Sequence, residues 1–323
     1  MKAQARRPHL VVFAPSLLLT VTIERRGADG TELHLHAGAQ GLWVARMAAE
    51  LGASVTLCTA LGGETGRVLE ALVADERIEL AASPCSEANG AYVHDRRSGD
   101  RLPIVEIPGH SLSRHEIDDL YGLTFARALD GDVLILTGPQ DPSVVGGEIY
   151  GRLASDASAN EVRVVADLTG DPLESALHGG VWLLKLSDTE LEESDFAVDR
   201  SLPALLQAAE VLHDRGAENV VISRAAEPAI AFVDGAWVQV SGPRVTAADT
   251  HGTGDSMTAA AAVGIARGLS PADALRLAAA AGAVNATRHG LGTGTVAEIE
   301  RLEAHVRIES LTGAGEGAPR ADA

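Results

Sequence analysis

A short unbroken apolar run at residues 10–13 predicts a buried strand, of the kind that fills a parallel sheet covered on both faces, and further strands rich in apolar residues are expected at 54–59, 133–136, 162–166, 182–184 and 220–223. Between them the pattern changes to the helical period. A glycine turn at Gly38 leads into an amphipathic helix closed by Gly52, and further helices are expected at 67–74, 142–154 and 202–215. Two stretches alternate polar and apolar residues instead: 17–23 with 31–36 around a turn at 27–30, and 91–95 with 102–107 around Ser98-Gly99-Asp100. These are hairpin signals, and together they predict a small second sheet. A third hairpin, 230–233 with 237–240, turns at Asp234-Gly235 and belongs at the edge of the main sheet. Two alanine-rich helices follow, the first over 256–266 and the second opened by Ser270-Pro271. Alternation of strand and helix predicts an α/β class with a mostly parallel sheet and ligands at the carboxyl ends of its strands. The expected organisation is one α/β domain over 1–310, with a β lid from about 16–37 and 88–108, and a solvated, disordered tail over 311–323. No internal repeat is visible.

Composition narrows the function. With 323 residues, 46% of them hydrophobic, there is ample material for a core, and a formal net charge of −19 argues against a nucleic-acid surface. Any nucleotide would have to be held locally, by backbone N–H groups and metal. Cys58 and Cys85 stand in unrelated contexts without metal-ligand spacing, which suits a reducing cytoplasm. The basic start and the apolar stretch over 10–23 imitate a leader peptide, but Pro15 splits the stretch and no A-x-A site follows, so a buried first strand is expected there. No run approaches the ~20 apolar residues of a membrane span.

The chemistry concentrates in Asp249-Thr250-His251-Gly252-Thr253-Gly254-Asp255-Ser256-Met257. Glycines on both sides of Thr253 allow a tight turn into the alanine-rich helix. The N–H groups of Gly252, Thr253 and Gly254 and the positive end of the helix dipole then face whatever anion approaches. Asp255 shares that corner. A carboxylate there can take the proton of an attacking hydroxyl while the N–H groups hold the charge of a transferring phosphoryl group. Alone, Gly-x-Gly-Asp could equally be a turn with an Asp cap.

The longer string, with the helix after it, Gly268 and Ser270-Pro271, resembles the C-terminal signature of the PfkB/ribokinase family. It lies nearest the branch of 6-phosphofructokinase, 1-phosphofructokinase and tagatose-6-phosphate kinase. The resemblance runs collinearly from the first strand to about Ile308 and implies a ribokinase-like three-layer sandwich with a β lid. It further implies ATP and Mg²⁺ as cofactors and a small sugar or sugar-like substrate, which with the charge and hydropathy above leaves no nucleic acid or membrane partner; exposed faces of the lid would be natural contacts for a homodimer, although the sequence does not fix the oligomer. Lys185-Leu186-Ser187-Asp188-Thr189-Glu190-Leu191 is similar to the family's K-P-N-x-x-E-L, with Ser187 in place of Asn. Lys185 is one of only two lysines in the chain. Glu190 and Asp167 correspond to acids near the metal. Asp249, His251, Asn285, Arg288 and Gly290 fall where the family binds a monovalent cation, mainly through backbone carbonyls, with K⁺ as the candidate.

Departures from the family are as informative. Of G-G-x-G-x-N-x-A-R the chain keeps Gly38 and Gly41, with Gln40 between them and Trp43 at the Asn position. Leu18 replaces a sugar-binding Asp, Glu87-Ala88 replaces a T-R pair whose Arg grips a substrate phosphate, and S-G-S-L-P survives as Thr137-Gly138-Pro139-Gln140-Asp141. His34, His36, Gln40, Trp43 and Asn89 would line a roomier, more neutral acceptor pocket. For Trp43 a core position on the helix is the competing reading, and for the His34/His36 pair a polar face of the lid without metal. S-x-G-x-x-G beneath the ATP ribose becomes Ser223-Arg224-Ala225-Ala226-Glu227-Pro228, without either glycine. Two functions therefore compete: an ATP-dependent carbohydrate kinase with altered acceptor specificity, and a non-catalytic sugar or nucleotide binder that kept the fold.

Overall fold

The computed structural model describes residues 6–27, 30–288 and 290–311. The tail expected from 311 onward lies, after Leu311, outside the described residues. In chain order the elements are β1 (His9–Ser16), β2 (Leu18–Arg26), β3 (Gly30–Gly38), α1 (Gln40–Glu50), β4 (Ser54–Gly62), α2 (Gly63–Ala74), β5 (Glu79–Cys85), β6 (Ala91–Asp95), β7 (Leu102–Ile107), α3 (Arg114–Leu129), β8 (Val133–Thr137), α4 (Glu148–Ala159), β9 (Arg163–Asp167), α5 (Gly170–Gly179), β10 (Val181–Ser187), α6 (Asp188–Glu193), α7 (Leu202–Asp214), β11 (Ala217–Arg224), β12 (Glu227–Val233), β13 (Ala236–Ser241), α8 (Thr253–Ala266), α9 (Pro271–Ala286), α10 (Val296–Glu303) and β14 (Arg307–Ser310).

Ten strands form the main sheet in the order β14-β13-β12-β11-β10-β9-β8-β1-β4-β5. From β11 to β5 every neighbouring pair is parallel, and β12, β13 and β14 add an antiparallel edge. The two-residue alternation of β1 shows why both faces must be covered. Leu10, Val12 and Ala14 enter a core closed by α1, α8 and α9, while Val11 and Phe13 enter one closed by α3, α4, α5 and α7. Small residues bring α8 and α9 together, and a Cβ on Gly264 would stand 2.9 Å from the Ala274 Cβ.

Beside this sandwich lies a separate sheet of order β3-β2-β6-β7. Its register sorts the side chains by face. Thr20 pairs with His36 and Tyr92, and Thr22 with His34 and His94, giving a polar face. On the other face Val21 pairs with Leu35 and Val93, and Val93 with Val105. That apolar face is open, with Leu33 62% and Ile107 50% exposed and Leu35 and Val105 exposed as well.

One helix lies elsewhere than its pattern suggested. The expected helix over 142–154 begins only at Glu148 and runs to Ala159. Asp141 turns the preceding segment, accepting from the Ser143 N–H at 2.8 Å, and the Asp171 carboxylate takes the Gly147 N–H at 2.6 Å, so the N–H groups there are committed to turns. The helix expected over 256–266 starts earlier, at Thr253.

Candidate active site

The strand order reverses between β1 and β8, since the chain moves outward from β1 to β4 and β5 and later from β8 to β11 on the other side. In open α/β sheets the carboxyl ends of strands at such a point form a crevice. Gly138, Asp167 and Lys185 stand at or near those ends on β8, β9 and β10, and the N-termini of α1 and α8 reach the same place.

Gly252 is the N-cap of α8, in the left-handed region at φ 72°, and no side chain caps the helix. An early start follows from this conformation, which glycine adopts freely. It puts Asp255 inside the first turn. Within that turn the Thr253 N–H makes only a long bond to the Thr250 carbonyl at 3.4 Å, and the hydroxyls of Thr253 and Ser256 are buried without a protein partner. Gly254 permits a close approach: a Cβ there would be 2.4 Å from Lys185 Nζ. The ammonium therefore lies directly against the helix opening, where a side chain would exclude it.

Four charged groups meet around this point. Lys185 Nζ donates to Asp167 Oδ2 at 3.2 Å, and both side chains are buried. Thr258, one turn along α8 from Gly254, donates to the same oxygen at 2.7 Å. Its role was not read from the sequence, although a lone threonine in an alanine run is a visible signal. Burial pushes the Asp167 carboxyl upward against the pull of Lys185, and Glu190 pushes the same way as burial. Burial alone would lower Lys185, but Asp167, Glu190 and Asp255 outweigh it and hold the amine above its ordinary value. Asp255 is raised to about 7, by burial first and then by Asp167 and Glu190, with Lys185 and a hydrogen bond from Gln40 opposing. A carboxyl so placed is poised to exchange a proton near neutrality.

Glu190 is engaged locally. Its Oε2 accepts from the Ser187 N–H at 2.7 Å and the Ser187 hydroxyl at 2.8 Å, closing a capping box at the start of α6. Ser187 thus ties the end of β10 to the start of α6. Among the described residues no three His, Cys, Asp or Glu side chains converge to hold a metal ion unaided. Three acids around one ammonium leave excess negative charge in a buried corner, which fits Mg²⁺ arriving with phosphates and keeping its waters.

On the acceptor side, Gln40 opens α1 and its Oε1 accepts from the Gly138 N–H at 2.9 Å. Trp43, half-buried, joins neither core; its Cζ2 lies 3.8 Å from where a Gly38 Cβ would be. Gly41 packs so tightly on the sheet that a Cβ would sit 2.4 Å from the Ala14 Cβ, which fixes the backbone next to Gln40. Asn89 lines a depression beside Glu87 and Ala88 and also serves the backbone. Its amide is spent on backbone, taking the Gly62 N–H at 2.9 Å and donating to the Ala60 and Leu17 carbonyls at 3.0 and 3.3 Å. It braces the strand ends and has little left to offer a ligand. His34 and His36 stack at 6.1 Å on the polar face of the small sheet, with Glu32 3.3 Å from His34. Glu87, Ala88, His110 and Glu116 line a shallow depression. The Ser113 hydroxyl and the Ser86 N–H hold Glu116 at about 2, so it is charged there.

Arg224 ends β11, and its Nε is buried without a partner, while the Ser223 hydroxyl donates to the Leu186 carbonyl at 3.3 Å. Ala225 has φ 39° and Ala39 has φ 136°, both in positive-φ backbone that glycine favours. Both loops follow a glycine-type path with alanine in place. Ala225→Gly and Ala39→Gly are each expected to raise stability by about 1 kcal/mol, read as a higher denaturant midpoint, because the strain of a Cβ at such angles is about 1–2 kcal/mol.

The five residues expected at a monovalent cation do gather. Asn285 Nδ2 donates to the His251 carbonyl at 2.8 Å, Asp249 Oδ1 accepts from the His251 N–H at 2.9 Å, Thr293 donates to the Gly290 carbonyl at 2.8 Å, and the Arg288 N–H donates to the Asn285 carbonyl at 3.0 Å. The carbonyls of His251, Asn285 and Gly290 each already accept one bond within the protein.

A mostly parallel sheet with a small separate one beside its switch point is the ribokinase-like class of α/β fold. An Arabidopsis thaliana ribokinase complexed with ribose and ATP superposes with a TM-score of 0.71 at 20% identity, over 92% of this chain and 99% of that one. The chain belongs to the pfkB family of carbohydrate kinases, whose model matches residues 18–298, and is thus a phosphotransferase with an alcohol group as acceptor. A 1-phosphofructokinase of Vibrio cholerae is 25% identical over 305 residues, 93% of this chain and 96% of that one. Phosphofructokinase-2 of Escherichia coli in complex with potassium superposes with a TM-score of 0.77 at 26% identity, over 93% and 98% of the two chains. No helix among the described residues is long and apolar enough to cross a membrane.

Proposed function

We propose that the protein transfers the γ-phosphoryl group of ATP to a primary hydroxyl of a sugar or sugar-like acceptor. One observation carries the reading: Asp255, raised to about 7, stands in the first turn of an uncapped helix beside a buried ammonium. Asp255 takes the hydroxyl proton. The N–H groups of Gly252, Thr253 and Gly254 and the Lys185 ammonium face the charge on the transferring group. Asp167 and Glu190 would hold the waters of Mg²⁺, which when bound neutralises phosphate charge. Ser223 and Arg224 lie on the nucleotide side. The small sheet acts as a lid over the acceptor, and the gathering of Asp249, His251, Asn285, Arg288 and Gly290, with the potassium bound by the Escherichia coli relative, supports K⁺ near the nucleotide.

The acceptor itself is better read as lacking a phosphate. A phosphate-gripping Arg is replaced by Ala88 between Glu87 and Asn89, and ionised Glu116 lines the same depression. Like charge disfavours a phosphate there. Incubation with ATP and Mg²⁺ and a panel of fructose, ribose, fructose 6-phosphate and fructose 1-phosphate tests both parts. Transfer to the phosphorylated sugars alone overturns the acceptor reading. Absence of transfer to anything, with ligand binding retained, favours the non-catalytic binder.

The lid also offers a dimer surface, through Leu33, Leu35, Val105 and Ile107. Leu33→Glu with Val105→Glu is expected to shift the protein from dimer to monomer in sedimentation; a monomeric parent would refute the surface.

A further inference from the structure

Two helices open onto the crevice from distant parts of the chain, α1 with Gln40 and Trp43 on the acceptor side and α8 with Gly252, Thr253, Gly254 and Asp255 on the phosphoryl side. Their spacing is not left to the sheet alone. The segment after α9, residues 290–294, lies against both. Toward α8, Leu291 covers the N-cap, where a Cβ on Gly252 would stand 3.3 Å from Leu291 Cδ2 and 3.4 Å from its Cα. Toward α1, a Cβ on Gly292 would stand 2.3 Å from the Trp43 carbonyl oxygen, so only glycine lets the segment come this close to the first turn of that helix. Gly292 also has φ 67°, which glycine adopts without strain.

One side chain holds this wedge. Asn285, fully buried near the end of α9, donates from Nδ2 to the His251 carbonyl at 2.8 Å, and its Oδ1 accepts from the N–H groups of Gly292 and Thr293 at 3.0 and 3.3 Å. These bonds orient the carboxamide, since its oxygen only accepts and its nitrogen only donates. It therefore joins the residue preceding the α8 N-cap to the residue seated on α1. We infer that Asn285 is a positioning residue for transfer: it fixes the gap between the helix that presents the acceptor and the helix that holds the moving phosphoryl group, without touching either ligand. The inference rests on the reading of α8 as the phosphoryl-holding helix, and it concerns the Asn285 side chain, whereas the carbonyl is what the residue offers a monovalent cation. In-line transfer is sensitive to such a gap, a misplacement of about 1 Å costing about 10²-fold.

The test is a quotient of two rates, transfer to a sugar divided by ADP release without one. In the second reaction a water oxygen bonds to the γ-phosphorus, the bond to the β-phosphate oxygen breaks, and a water proton goes to Asp255. Both reactions need α8, and only the first needs α1 aligned with it. Both rates also scale with the amount of folded protein, so the quotient does not respond to a mere loss of stability. It is measured with ATP and Mg²⁺, and with D-fructose and fructose 6-phosphate as acceptors, in the parent, Asn285→Asp, Gly292→Ala and Thr287→Val. Asn285→Asp keeps an oxygen for the Gly292 and Thr293 N–H groups and sets another, in place of the donor, against the His251 carbonyl. Gly292→Ala keeps Asn285 and thickens the wedge by one methyl group. The quotient is expected to fall about a hundredfold in each. Thr287→Val removes a bond at the end of α9 outside this bracket, from the Thr287 hydroxyl to the Val284 carbonyl at 2.8 Å, and should leave the quotient at the parent value. An unchanged quotient in Asn285→Asp overturns the positioning role, as does an equal fall in Thr287→Val; should Asn285→Asp not fold, an unchanged Gly292→Ala does the same. A parent that transfers to neither sugar defeats the kinase reading itself, and the positioning role falls with it.

Discussion

Asp255→Asn should lower kcat by about 10³-fold, within the 10²–10⁴ that a positioned general base contributes, while leaving the KM for ATP close to that of the parent. Asn keeps the shape of the side chain and cannot take the proton. Turnover of the parent should climb with pH through about 7, since only the ionised carboxyl accepts the hydroxyl proton, and this limb should vanish in the variant. Stability moves the other way. The folded protein binds this proton more tightly than the unfolded chain, whose carboxyl has its ordinary value of 3.8. The favourable contribution is therefore complete below 3.8 and declines as pH rises toward about 7. Removing the charge should make Asp255→Asn more heat-stable than the parent at pH 8. A variant that is slow, unaltered in its pH profile and no more stable would show that Asp255 is not the titrating group.

Lys185→Met should have the largest effect on stability. It leaves Asp167 charged and buried, where the loss of one partner of an ion pair costs about 3–5 kcal/mol. The expected readout is a lower urea midpoint together with loss of transfer. Adding Asp167→Asn should recover much of the stability, because the acid paired directly with the lost ammonium then carries no charge, and none of the activity. A double variant no more stable than Lys185→Met alone would mean that the pair is not what holds this corner together.

Residues that bury a continuous apolar run or alternate strictly were legible from the chain. β1, β8, β9, β10 and β11, the two hairpins of the small sheet and the alanine-rich α8 and α9 all belong here. Segments whose burial comes from small or polar residues were not. β5 carries Ala81 and Ser83 inward with Pro84 on its exposed side, a composition that suits an edge strand but gives no strong period. α3 hides only Leu120, Thr124 and Ala128, although its Ser113–Glu116 capping box was there to be read. In the site, Asp255, Lys185 and Asp167 were named from the chain and are brought together. Asn89 lines a depression and at the same time spends its amide on backbone, and that second role was not legible, since a residue type does not say which of its neighbours it satisfies. The bond from Gln40 to Gly138 spans 98 residues and follows from the topology alone.

The core on one face of the main sheet is sealed by α8 and α9, which come late in the chain, while the strands they cover are mostly made much earlier. During synthesis α1 can cover part of that face at β1 and β4, but the rest, over β8, β9 and β10, has no lasting shelter until residue 286 has left the ribosome. Interrupted or proteolysed chains ending before Thr253 would then present a broad oily surface and should depend on chaperones or aggregate, with no residual activity to betray them.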